Sequence, residues 1–178
     1  LSQTMGDFEF IVVDDGSTDG SAEIIKEYAD KDGRMVLLSN DTNMGLATSL
    51  NRGLKIVRAG LIARHDADDV ALPDRLAVQR DYMDHHPDVG LLGGDSLYMD
   101  TDGTPLPKAD PAPPVSDTEI RWRMIFLNPF YHATMMFRPG LFYDESLPYS
   151  QDYDLWMRML EGTRAANLNR PLVRYRIH

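Results

Sequence analysis

The sequence predicts an α/β fold: a doubly wound, mostly parallel twisted sheet flanked by helices, with a mixed second half. Three observations carry this. Short β-rich apolar runs alternate with helical stretches from Phe8 to His86, which implies right-handed crossovers between parallel strands. The runs stop in acidic turns, at Asp14-Asp15 and again at Asp66, so polar chemistry gathers at strand C-terminal ends, where open α/β sheets place their ligands. After Met99 the alternation gives way to a Pro-rich stretch and shorter elements. At 178 residues, 43% hydrophobic and 26% charged, the chain has the size and composition of about one globular domain with a real core.

Phe8 to Val13 (FEFIVV) is the first strand. Ser17, Thr18 and Asp19 offer N-caps to a helix that runs to about Tyr28, with Ile24, Ile25 and Tyr28 on one face. Met35 to Leu38 is a second strand. Leu46, Leu50, Leu54 and Val57 then recur at helical spacing, which predicts an amphipathic helix over Gly45 to Arg58. Leu61 to His65 is the third strand, and Pro73 starts a helix that turns Leu72, Leu76 and Met83 inward and ends near His85. Val89 to Leu92 and Ser96 to Met99 read as two strands before a turn at Asp102-Gly103. Lys108 to Val115, with three prolines, is a loop or flap. Ser116 and Glu119 form a capping box for a helix through about Phe126. Ala133 to Phe137 is a strand. Ser150 caps a helix whose apolar stripe is Tyr153, Trp156, Met157 and Leu160, and Leu172 to Ile177 closes the pattern as a strand.

Leu61 to Leu76 (LIARHDADDVALPDRL) is the stretch on which function turns. Asp66 and Asp68 stand two apart between a strand and a helix, so both can aim oxygens at one hard cation, which would relieve the repulsion among Asp66, Asp68 and Asp69. The same residues also read as an acidic surface loop with an aspartate capping the helix. With no cysteine in the chain, any metal is held by oxygen or imidazole, which suits Mg2+ or Mn2+ better than zinc. A formal net charge of -10 argues against a nucleic-acid partner. No run approaches the ~20 apolar residues of a membrane span, and no signal-peptide pattern is present. His65 and His132 read as packed side chains, His85 and His86 as helix-end residues, and Trp156, Met135 and Met136 as core.

Four motifs stand in order along the chain: IVVDDGSTDGS (Ile11 to Ser21), NMGLATSLNRGL (Asn43 to Leu54), ARHDADDVALPDRL (Ala63 to Leu76) and SQDYDLWMRM (Ser150 to Met159). NPFYHATMMFR (Asn128 to Arg138) and the terminal YRIH (Tyr175 to His178) are lesser matches. Each is weak alone. As an ordered set over essentially the whole chain, they resemble the family 2 glycosyltransferases, whose fold is called GT-A.

That resemblance implies an inverting, metal-dependent transfer of a sugar from a nucleotide-diphosphate sugar to an acceptor hydroxyl, in polysaccharide or glycolipid synthesis. Asp14 or Asp15 would contact the base or ribose. Asp66 would face the ribose or the metal, and Asp68 would bind the divalent ion, Mg2+ or Mn2+, that bridges the diphosphate. Asp152 falls where the family places its catalytic base, at a helix start where the dipole favours negative charge. His178 sits where some members recruit a further metal or phosphate contact, and Arg64 and Arg75 are candidates to meet phosphate or acceptor. The acceptor would be a sugar, a polysaccharide or a lipid-linked glycan, and the protein would be cytoplasmic, with peripheral association at the inner face of the membrane. Residues 1–100 would form the nucleotide-sugar half and 101–178 the half for acceptor and base.

The chain departs from the family at two places. Gln151 precedes Asp152 where the family usually has a second acid. Leu1 to Asp7 resembles only the tail of the family's first helix, which leads to the expectation that about one strand-helix unit, roughly 30 residues, is missing. A truncated domain that binds nucleotide or a partner without turnover is therefore one alternative. A sugar nucleotidyltransferase is another, although DDGSTDGS has acids where its phosphate loop would have Arg and Lys.

Overall fold

The computed structural model describes residues 1–108 and 110–178. The chain groups into two compact units: one comprises residues 1–5, 60–139 and 156–178, the other residues 6–59 and 140–155.

In the second unit, β1 (Phe10–Asp14) and β2 (Met35–Ser39) pair in parallel, in register from Phe10 with Met35 to Asp14 with Ser39. Between them runs α1 (Ser21–Lys31). Its cap is Gly20, in a left-handed conformation, and not one of the predicted hydroxyls; Asp19 instead accepts the Ser21 amide. α1 buries no residue, and Ile24 and Tyr28 are more than half exposed. The next helix, α2 (Leu46–Leu54), is shorter than its leucine spacing predicts and buries a different face: Ala47, Ser49, Asn51 and Gly53. Polar pairing and close backbone approach decide this. Asn51 donates to the Tyr143 carbonyl and accepts the Tyr143 amide, and Gly53 lies against Ile11 and Val13.

The first unit is built on a six-stranded sheet. Its main path runs β3 (Ile62–Ala63), β7 (Met136–Phe137), β5 (Val89–Met99), β8 (Arg164–Arg176), β4 (Val70–Ala71), and β6 (Pro105–Leu106) pairs with β5. β5 and β8 form a long parallel pair, and the four short pairings around them are antiparallel. The sheet is thus mixed. β5 is one strand where the sequence suggested two, because Gly93 and Gly94 sit inside it to make room for side chains of β8. α3 (Arg75–His85) packs Met83 with Val89, Leu92, Met136 and Ala166, and Leu172, Val173 and Ala133 form a second buried cluster. α4 (Asp117–Met124) has the predicted capping box, formed in both directions between Ser116 and Glu119.

The predicted strand at Ala133 begins instead as a 3-10 turn, His132–Thr134, and only then becomes β7. The Pro-rich stretch from Lys108 carries no helix among its described residues, and Ala109 lies outside them. α5 (Gln151–Leu160) buries Leu155, Trp156, Met159 and Leu160, while Met157 is exposed, so its apolar face is rotated from the predicted stripe. Trp156 is fully buried and meets Phe130, His132 and Phe137 edge-on. Among the described residues, no helix is long and apolar enough to cross a membrane.

Candidate active site

The sheet of the first unit holds the acidic turn at both ends. Where it leaves β3, the Arg64 amide donates to the Met135 carbonyl; after it, β4 pairs with β8. Between these anchors Asp66 forms an ion pair with the buried Arg64. Asp68 lies 2.7 Å from His178 Nε2, and that contact, outweighing the effect of burial, holds its carboxyl below the usual range. Arg176 fastens the end of β8 to the turn. Its amide donates to Asp69 Oδ1 at 2.8 Å and its Nε to the Asp68 carbonyl at 2.9 Å, while Nη1 reaches the carbonyls of Asp100 and Thr101. Asp69 is buried, with Oδ2 lacking a hydrogen-bond partner, and burial raises its pKa. The turn thus carries two separate contacts, Arg64 with Asp66, and Asp68 with His178 from the chain after β8.

Arg75 meets the same turn, but from the inside. It is 1% exposed, and its guanidinium is engaged by Gln79 Oε1, His65 Nδ1 and the carbonyls of Arg64 and Met135. This corrects the expectation that it meets phosphate or acceptor: it is sealed in the core under the turn. Burial, with the neighbouring Arg64, lowers its pKa to about 9.

In the second unit, Asp14 and Asp15 end β1 and fold inward. Asp14 is buried and accepts the Ser17 amide through Oδ1. Asp15 is committed within the unit. It accepts the amides of Met44 and Gly45 and the Asn40 carboxamide, and against the opposing effect of burial these bonds hold its pKa below the ordinary value. Asp15 thus shapes the loop before α2. Gly16 makes the turn feasible, with φ +75° and an added Cβ only 2.8 Å from the Thr42 backbone.

Asp152 lies in the first turn of α5, with Asp154 beside it. Ser150, just before the helix, has φ 59°, a left-handed conformation that a non-glycine residue adopts at a cost of roughly 1–3 kcal/mol. Gln151 donates to the Pro148 carbonyl at 3.2 Å, so the residue that replaces the family's second acid braces the loop.

Gln79 and Arg176 escaped the sequence reading as contributors: Arg176 lies inside the YRIH stretch, but its partner Asp68 is 108 residues away. Among the described residues, no group of three or more His, Asp or Glu side chains is gathered as a metal site.

The sequence matches glycosyl transferase family 2 over residues 1–142. An uncharacterized glycosyltransferase of Methanocaldococcus jannaschii is 36% identical over 99% of this chain and 62% of its own length. The amylovoran biosynthesis glycosyltransferase AmsE of Erwinia amylovora is 32% identical over 98% of this chain and 66% of its own. Two solved structures share the fold. TarS of S. aureus, in complex with UDP, aligns with a TM-score of 0.78 and 22% identity over 99% of this chain and 54% of its own. The mannosyltransferase PcManGT of Pyrobaculum calidifontis, in complex with GDP-Man and Mn2+, aligns with a TM-score of 0.72 and 16% identity over 98% of this chain and 50% of its own. The chain thus spans about two thirds of these relatives and half of the solved chains. With an α/β architecture of the GT-A type and a family match covering most of its residues, the chain belongs to glycosyl transferase family 2.

Proposed function

We propose that the protein is an inverting, metal-dependent glycosyltransferase that moves a sugar from a nucleoside-diphosphate sugar to an acceptor hydroxyl, in the synthesis of a polysaccharide or glycolipid. The observation that carries this reading is the acidic turn after β3, where Asp66 pairs with Arg64 and Asp68 with His178. The family match, the UDP and GDP-Man held by the two structural neighbours and the amylovoran relative all support it.

The side chains suit a divalent ion by their chemistry, and binding it would have to draw them together, since they are not gathered as a metal site among the described residues. Two carboxylates and an imidazole are hard to borderline ligands suited to Mg2+ or Mn2+. Asp68 and His178 already share a 2.7 Å contact while both side chains remain about half exposed or more. Asp68, Asp66 and His178 would hold the ion, which when bound would neutralise charge on the departing diphosphate. Arg64 pairs directly with Asp66. Asp14 or Asp15 would meet the base or ribose. Asp152 would take the proton of the acceptor hydroxyl as that oxygen attacks the anomeric carbon opposite the leaving diphosphate, and a single displacement of this kind inverts the configuration. The acceptor is a sugar, a polysaccharide or a lipid-linked glycan, and in the last case the enzyme works at the membrane face.

Release of nucleoside diphosphate from UDP and GDP sugars, with and without Mn2+, tests the proposal. Asp152→Asn should lower kcat by about 10²–10⁴-fold, the range for loss of a general base. Asp68→Ala should abolish the response to Mn2+. Wild-type turnover in both variants would overturn the assigned roles.

A further inference from the structure

We propose that Arg75 is a positioning residue of the donor site, fixing from inside the fold the course of the acidic turn and hence the placing of Asp66 and Asp68. The inference rests on the reading of that turn as the donor diphosphate site. A guanidinium offers five N–H donors in a rigid fork. Arg75 uses Nε for Gln79 Oε1 at 3.0 Å, Nη1 for His65 Nδ1 at 3.2 Å, and Nη2 for the carbonyls of Arg64 at 2.6 Å and Met135 at 3.3 Å. All four acceptors are neutral. Burying the cation is costly, and what offsets that cost is these four bonds together with the opposite charge of Asp69, on the turn itself.

What the arginine does is determined by whom it holds. The Arg64 carbonyl is the entry to the turn. His65 carries the constraint to its exit: because the guanidinium can only donate, His65 Nδ1 is an acceptor and its proton sits on Nε2, leaving the ring to donate to the backbone of Asp69. Entry and exit of the segment bearing Asp66 and Asp68 are thus both referred to one buried group. The same group ties the turn to the rest of the sheet. The Met135 carbonyl accepts from Arg75 and from the Arg64 amide, and Gln79, oriented by Arg75, donates to the Thr134 carbonyl at 2.8 Å and the Leu92 carbonyl at 3.4 Å. Two buried guanidinium groups under the turn also offset the repulsion among its three carboxylates.

The experiment compares Arg75→Met, Arg75→Lys, His65→Gln and Asp68→Ala in the full chain. It reads thermal midpoint, affinity for UDP and GDP with Mn2+ by titration calorimetry, and donor KM and kcat. Arg75→Met removes the donor of four buried or part-buried acceptors, so its midpoint is expected to fall, and the folded variant is expected to lose about 10–100-fold in Mn2+-dependent nucleotide affinity, the range for removing a residue that orients a ligand group. Arg75→Lys is expected to recover part of that affinity, and His65→Gln to lose affinity in the same sense, with donor KM rising in each. If Arg75→Met does not fold, Arg75→Lys and His65→Gln decide. Wild-type affinity in the folded Arg75 variants, with affinity lost in Asp68→Ala, overturns the positioning role alone. Wild-type affinity in Asp68→Ala overturns the reading of the turn, and this proposal with it.

Discussion

His65 stands between Arg75 and the backbone of Asp69, and burial together with the two neighbouring guanidinium groups pushes its pKa down to about 4. In the unfolded chain a histidine takes up its proton near pH 6.5, so between the two values the unfolded state binds more protons than the folded one. This contribution to stability is therefore complete above pH ~6.5 and is lost as the pH falls toward 4, amounting to about 2 kcal/mol at pH 5. His132, its pKa lowered by burial and by Arg64, acts in the same direction. The urea midpoint should fall between pH 7 and pH 5, and fall less in His65→Gln; a midpoint flat over that range would mean His65 is not held as described. Ser150 gives a second residue-scale prediction. Its φ of 59° is one that glycine adopts without strain, so Ser150→Gly should raise stability by up to about 1 kcal/mol in urea titration. In the sequence Asp66 and Asp68 stand out, because crowded carboxylates after a strand are conspicuous. The sequence did not reveal that Arg75 is buried: a charged residue flanking the acidic turn reads as one that meets phosphate or acceptor, and only acceptors at Arg64 and Met135, 11 and 60 residues away, show otherwise.

At the scale of elements, strand and helix identities were legible where local signals were complete. The capping box of α4 and the strand before Asp14-Asp15 are examples. Positions decided by partners distant in sequence were not. Gly93-Gly94-Asp95 reads as a break between two strands, yet β5 continues through it with its register against β8 shifting on either side of Asp95, and the glycines are where Asn167 and Leu172 of β8 press against the backbone. An added Cβ at Gly94 would lie 2.5 Å from Leu172 Cδ1. Gly94→Ala should destabilise the protein by about 1–3 kcal/mol, the usual penalty for overpacking a core. Pairing it with Leu172→Ala should give a destabilisation smaller than the sum of the two single changes, because the clash is removed with its cause. Strictly additive urea midpoints would place the glycine's importance elsewhere. The same logic explains α2 and α5. Their apolar spacings were read correctly as helical, but Asn51 pairing with Tyr143, and Leu155 and Met159 facing the core, set which face is buried.

Across the whole molecule, resistance to opening should be unequal. Ladder length and flanking burial set the free energy of local opening. β5 pairs with β8 over most of its length, its residues from Val89 to Gly94 are all buried, and Met83, Leu92 and Ala166 pack around it. β1 and β2 share only five residue pairs, their side chains are mostly half-buried, and α1 beside them buries nothing. With little apolar surface to expose, β1, β2 and α1 can open while β5 and β8 stay folded, at a fraction of the global unfolding free energy. Native-state hydrogen exchange should find the β5 amides released only through global unfolding, with a steep dependence on denaturant. The amides of β1, β2 and α1 should exchange faster and with a shallow dependence. Equal protection and equal denaturant slopes in both groups would show that the chain opens as one cooperative body, and the inequality inferred from burial would be wrong.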